Sequence, residues 1–155
     1  MNFDEAFEKL LGHEGGLVEN PADPGGLTKF GISQRAYPGE DIRGLTVERA
    51  KLLYRRDYWG PAGCDAVPDV LKASLFDTAV NAGVSRAVKL LQASVDVVQD
   101  GKLGPQTLQA CQSMPASRLV ARFQGNRLLF LADLPGWSHF SKGWTRRVAS
   151  YLLEA

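Results

Sequence analysis

From Thr46 to the end of the chain, apolar residues return every three or four positions, a period that dictates helix. Val67, Leu71, Leu75 and Ala79 stand four apart with Phe76 and Val80 beside them, so one broad face is buried, as expected of a central helix ended by Gly83. Thr46 is expected to cap an earlier helix through Ala50, Leu52, Leu53 and Tyr54 toward Trp59, where Gly60-Pro61 stops it. Ser85 is expected to cap the next, whose Val84, Val88, Leu91, Val95 and Val98 keep the spacing until Asp100-Gly101. Pro105 suits the first turn of a short helix over 105–112, and 116–132 and 141–153 complete an almost all-helical second half.

The N-terminal stretch reads differently. Asn2 and Glu5 resemble a capping box, and Phe3, Ala6, Phe7, Leu10 and Leu11 follow helical spacing until Gly12. Residues 12–44 then hold 8 of the 16 glycines together with Pro21, Pro24 and Pro38, which predicts turns and a small hairpin with Leu27–Ser33 as the best strand candidate. Leu17, Val18, Leu27, Phe30 and Ile32 favour an ordered lobe. The expected fold is mainly α, one compact domain over 1–155 with a small N-terminal loop-rich or β-hairpin lobe. The cleft beside that lobe is where a site would sit.

Composition narrows the functional classes. With 155 residues, 45% hydrophobic and 23% charged, the chain has the usage of a globular domain and is long enough to build a core without disulfides or a structural metal. Disordered, collagen-like and disulfide-scaffold classes are excluded. The net charge of +1 gives no reason to expect a nucleic-acid partner. Charge is uneven, however: residues 1–60 carry −2, 61–115 carry −1 and 116–155 carry +4. The basic side chains of that last segment (Arg118, Arg122, Arg127, Lys142, Arg146, Arg147) read as a solvated helix face, with an anionic polymer such as a cell-wall glycan or nucleic acid as the alternative. Cys64 and Cys111 fit no metal-ligand or redox spacing and read as free thiols, with a single disulfide between them as the alternative. The acidic start Met1-Asn2-Phe3-Asp4-Glu5 lacks the features of a signal peptide, and no stretch approaches the roughly 20 apolar residues of a membrane span. Synthesis in the cytoplasm is therefore expected, with any target outside it reached by another route.

The most informative chemistry sits at the end of the first helix. His13-Glu14-Gly15-Gly16 is followed by Asp23-Pro24-Gly25-Gly26-Leu27-Thr28, placing two carboxylates and a hydroxyl within fifteen residues. Glycosidic cleavage needs one protonated carboxylic acid on the leaving oxygen and a second polar group that activates water or stabilises the oxocarbenium charge. A carboxyl at a helix C-terminus meets the negative pole of the macrodipole and is harder to ionise, which suits Glu14 to the acid's role. Asp23, in a Pro/Gly turn that can aim backbone N–H groups at it, suits the ionised partner that positions water.

Five segments in order then resemble glycoside hydrolase family 108: Glu14-Gly15-Gly16; Asp23-Pro24-Gly25-Gly26 with Thr28 and Gly31-Ile32; Tyr54-Arg55-Arg56-Asp57-Tyr58-Trp59; Phe76-Asp77 with Asn81 and Gly83; and Asp100-Gly101-Lys102-Leu103-Gly104-Pro105 with Thr107. Members of that family are N-acetylmuramidases, many of them phage endolysins and some secretion-associated lysozymes. The resemblance implies a lysozyme-like helical fold, peptidoglycan as substrate, a catalytic half over 1–83 with Glu14 as the acid, and a helical half over 84–155 similar to a peptidoglycan-binding module. The order of acid, aspartate and threonine is also similar to that of phage-type lysozymes. Glu14 to Asp23 spans nine residues as in that group, whereas Asp23 to Thr28 spans five, one shorter, and Leu17 stands where an aromatic residue is usual.

Other candidates have bland alternatives. Tyr54, Tyr58 and Trp59 either pack in the core or offer a ring as a sugar platform. Asn81 suits a sugar acetamido or hydroxyl group, and Asp77, one turn earlier, would orient it or cap a neighbouring segment. The Asp100-Gly101 stretch reads as a helix-terminating turn in preference to a glycan contact, and it fails the calcium-loop pattern at Val98 and Thr107. His13 has only His139 as a fellow histidine, so neither a metal nor a cofactor is expected.

The expected function is hydrolysis of the β-1,4 bond between N-acetylmuramic acid and N-acetylglucosamine by a monomeric phage endolysin made in the host cytoplasm, with glycan strands as partner and a holin or export system giving access to the wall. The rivals are a non-catalytic wall-binding or assembly module and a chitinase-like glycosidase.

Overall fold

The computed structural model describes residues 1–14, 18–19 and 26–155, with residues 13, 14, 18 and 19 described by their backbone. Helix α1 spans Phe3–Glu14, and the capping box forms: the Asn2 N–H donates to Glu5 Oε2 at 2.9 Å and the Glu5 N–H to Asn2 Oδ1 at 3.0 Å. The helix does not stop at Gly12, which lies exposed within it, but runs on to Glu14. Phe3, Ala6, Phe7 and Leu10 make its buried stripe.

Three short antiparallel strands follow, β1 (Val18–Glu19), β2 (Leu27–Lys29) and β3 (Ile32–Ser33), with Thr28 of the central strand opposite Val18 on one side and Ser33 on the other. Leu27–Ser33 is thus a hairpin and not the single strand expected. The chain reverses at Phe30 and Gly31, both left-handed at φ 52° and 78°, the backbone of a two-residue type I′ turn. Phe30 adopts this unfavourable φ while the Tyr54 hydroxyl donates to its carbonyl at 2.6 Å.

Thr46 caps α2 (Val47–Tyr54), its hydroxyl accepting from the Arg49 N–H at 3.1 Å, and a π-helical turn over Arg55–Trp59 continues it. The central helix α3 (Asp69–Ala82) is buried almost all round, from Leu71 to Ala79, and packs on α1, the π turn, α4 and α6. Gly83 ends it at φ 91°, a conformation open to glycine. Around Phe76 gather Phe3, Tyr54 and Trp59 with ring centroids 5.7, 6.0 and 5.5 Å away.

Helix α4 (Val84–Ser94) starts at Gly83 without a side-chain cap, so Ser85 lies in its first turn and does not cap it. It ends earlier than its apolar period predicts. Asp96 turns left-handed at φ 58°, and the loop beyond is organised by the buried Gln92, whose Nε2 donates to Asp100 Oδ1 at 2.8 Å, Lys102 O at 3.0 Å and Thr107 Oγ1 at 3.2 Å. Its Oε1 accepts from the Gly101 N–H at 3.0 Å. The remaining helices are α5 (Pro105–Ser113), α6 (Ala116–Ala132) and α7 (Trp137–Leu153). Helix α7 begins four residues before the expected 141, because Trp137, Phe140 and Trp144 stack on one face, centroids 6.1 and 5.4 Å from Trp144. Its far end returns to α1, where the Lys9 ammonium pairs with Glu154 at 2.5 Å and sits 3.8 Å from the Tyr151 ring centroid. No helix is long and apolar enough to cross a membrane among the described residues.

Candidate functional site

Glu14 is the last residue of α1, so its backbone stands at the carbonyl end of the helix, where the macrodipole is negative. The sheet that follows sets Thr28, half-buried, in its central strand. Asp23 and Leu17 lie outside the described residues.

Beyond the hairpin, a groove of about 540 Å³ is lined by Ala36, Tyr37, Glu40, Arg56, Asp57 and Tyr58, among others. The π turn puts Tyr58 into this groove, half-buried. Tyr37, which the sequence did not single out, donates its hydroxyl to Asp57 Oδ2 at 2.7 Å, and Arg56 clamps the same carboxylate at 2.6 Å. That hydrogen bond from Arg56 holds the Asp57 carboxyl below the usual range against the opposing effect of burial. Burial, followed by the bond to Asp57, pushes the Tyr37 phenol well above its ordinary value, so it stays a neutral donor. The groove thus offers two phenol rings, a guanidinium and two carboxylates.

Trp59 stands elsewhere. It is 1% exposed in the aromatic core, donating Nε1–H to Asp65 Oδ1 at 2.9 Å, and its ring offers no face to a sugar. Tyr54 is likewise core. Asp77 is fully buried and faces no groove: Arg147 grips it through Nε and Nη2 at 2.9 and 2.7 Å, and Arg127 Nη2 reaches it at 2.5 Å. Burial would raise its pKa, but the two guanidinium groups outweigh that and hold the carboxyl below the usual range. Asn81 is exposed at the rim of a separate cavity between α3, α6 and α7, its amide 3.3 Å from Asp77. The reading of Arg127 and Arg147 as part of a solvated helix face fails here, since Arg127 is 2% exposed and both pair with Asp77; the signal that could have shown it is a charge among apolar neighbours on α6.

Cys64 and Cys111 are buried free thiols. Asp100 accepts from the Lys102 N–H at 2.9 Å and from Gln92, the work of a turn. Among the described residues no group of three or more His, Cys, Asp or Glu side chains converges as metal ligands would.

Residues 7–83, from α1 to the glycine that ends α3, match the family described as glycosyl hydrolase 108. The whole chain is similar to the solved structure of Brucella abortus SagA, with 36% identity, 98% of this chain and 92% of that chain covered, and a TM-score of 0.88. The chain belongs to the glycosyl hydrolase 108 family. As a family 108 glycoside hydrolase it carries Glu14, Thr28, Tyr58 and Asn81 within the matched segment, while α4 to α7 are shared with SagA outside it. No curated protein matches the chain.

Proposed function

We propose that this family 108 hydrolase cuts peptidoglycan at the β-1,4 bond between N-acetylmuramic acid and N-acetylglucosamine, as a muramidase. The observation that carries the reading is the family match over the segment in which Glu14 closes α1 and the sheet bearing Thr28 follows. Glu14 protonates the leaving oxygen, while Asp23 and Thr28 position or activate the water. The groove of Tyr37 and Tyr58 lies on the same lobe and offers ring faces and hydrogen-bonding groups to glycan rings. The reading extends to a monomeric phage endolysin admitted to the wall by a partner such as a holin or an export system.

The test is digestion of purified peptidoglycan by wild type and Glu14→Gln, with mass spectrometry of the new reducing ends. Muramic-acid ends from wild type alone are expected, with chitin oligomers left intact; cleavage of chitin in preference points to the chitinase-like alternative. A folded wild type that releases nothing overturns the reading in favour of a wall-binding module. The anomer of the first product then reports inversion or retention.

A further inference from the structure

The groove of Tyr37 and Tyr58 is tied to the strand that bears Thr28. Ser33 stands opposite Thr28 in the sheet, and its carbonyl accepts from the Tyr37 N–H at 3.0 Å. The Gln34 amide then pins the loop by donating to the carbonyls of Tyr37 and Glu40, each at 3.0 Å. On the facing wall the π turn seats Trp59 in the core and leaves Asp57 and Tyr58 on the groove. Turns of this kind are rare and recur at functional sites.

Two groups there are open to a ligand. The Asp57 carboxylate accepts from the Tyr37 hydroxyl and from Arg56 Nε and Nη2, which leaves room for one more donor of the roughly four that its oxygens can take, and its side chain is 29% exposed. Arg56 is 62% exposed and keeps Nη1 outside the pair. Charge then narrows the ligand. Arg56 offsets Asp57 and Arg49 offsets Glu40, so the groove has no surplus to draw an anion, and each carboxylate opposes one. An uncharged ring fits, with a hydroxyl for Asp57, an acetamido carbonyl for Arg56 Nη1 and a face for a phenol. N-acetylglucosamine has all three. Muramic acid lacks the first, because a lactyl ether occupies its 3-oxygen and carries a peptide stem with carboxylates of its own.

We infer that this groove is a subsite for N-acetylglucosamine to the exclusion of muramic acid, with Asp57 as the specificity-determining residue that accepts the sugar's 3-hydroxyl and Tyr37 as the positioning residue that holds Asp57. Resting on the peptidoglycan reading above, the groove thereby chooses the bond. Two sugars alternate along the strand, so fixing the identity of one fixes all the others. A subsite that refuses muramic acid decides which of the two β-1,4 linkages comes to Glu14.

Binding is read on the full chain carrying Glu14→Gln, so that hydrolysis plays no part, from the backbone N–H signals of Tyr37 and Gly39 in NMR. The probes are methyl β-N-acetylglucosaminide, its 3-O-methyl ether and muramyl dipeptide. The glucosaminide should shift both signals saturably, the ether should bind roughly tenfold more weakly for want of one hydrogen bond to a charged acceptor, and muramyl dipeptide should leave them in place. Asp57→Ala, or Asp57→Ser should the first fail to fold, should bring the glucosaminide down to the level of its ether, and Tyr37→Phe should weaken it in the same direction. With Glu14 restored, the Asp57 variant should release glucosamine reducing ends from peptidoglycan beside the muramic ones, a change of bond that lost stability does not produce. Equal affinity for glucosaminide and ether, or no saturable shift, overturns the role of Asp57. Muramyl dipeptide binding as tightly overturns the selectivity, and an Asp57 variant that still yields muramic ends alone overturns the choice of bond. Failure of the muramidase reading is recognised separately, by a folded wild type that releases no muramic-acid ends.

Discussion

Asp77 and Arg147 stand 70 positions apart in the chain and meet as a two-pronged pair, Nε to Oδ1 at 2.9 Å and Nη2 to Oδ1 at 2.7 Å, with a third contact from Nε to Oδ2 at 3.0 Å. The pair ties the central helix to the last one in a place no water reaches on the aspartate side. Asp77→Asn leaves two arginines short of their counter-charge and is expected to cost about 3–5 kcal/mol at pH 7, measured by urea unfolding. Because the folded carboxyl titrates below its unfolded value, its contribution is fully present above the unfolded pKa of about 3.9 and is lost as pH falls through the folded one. The gap between wild type and variant should therefore be flat from neutral pH to about 5 and close below about 4. A gap unchanged down to pH 2 would contradict the assignment.

Tyr54→Phe removes the hydroxyl that holds the Phe30 carbonyl and keeps the aromatic packing. The expected loss is about 1 kcal/mol. Amide exchange should quicken across Leu27–Ser33 while α3 keeps its protection, and uniform change in both would show that the bond does not act on the hairpin.

Gln92 closes the 96–104 turn with all of its amide. Gln92→Ala should cost about 2–3 kcal/mol by leaving buried partners unmet. Gln92→Glu should be worse, since a carboxylate would face Asp100 where a donor now stands. Thermal melts of the two variants rank them, and the reverse order would sink the account.

Burial pushes the Cys64 thiol up to about 12 and the Cys111 thiol up to about 11. At pH 8 neither should react with a disulfide reagent in the native chain, whereas both react in guanidinium. Prompt labelling without denaturant would show that the region around them opens.

The helices were legible because their apolar period is local: Ala116–Ala132 has the bounds expected of it. A small hairpin was expected in this lobe, but the place of its reversal was not legible, because it rests on Phe30 at positive φ, a residue that carries no turn signature, held by a tyrosine 24 positions on. Glu14 was legible as a helix end beside a glycine pair. Asp77 was read as orienting Asn81, whose amide lies 3.3 Å from its carboxylate, but its two arginines were not foreseen, and Trp59 was left open between core and platform, for one reason: what decides them is remote. Asp77 is claimed by arginines 50 and 70 residues away, and Trp59 by rings of α1 and α3. Tyr37 gave no signal in a run of turn residues, since its partner Asp57 lies 20 positions downstream.

The contact of Lys9 with Tyr151 and Glu154 also sets an order of events. The first helix is made first, and the residues that brace it are among the last. At roughly 5–20 residues per second the helix ending in Glu14 waits roughly 7–28 seconds for its final neighbours. Until then the nascent chain holds an unfinished hydrolase, and a ribosome that stalls before α7 leaves it that way.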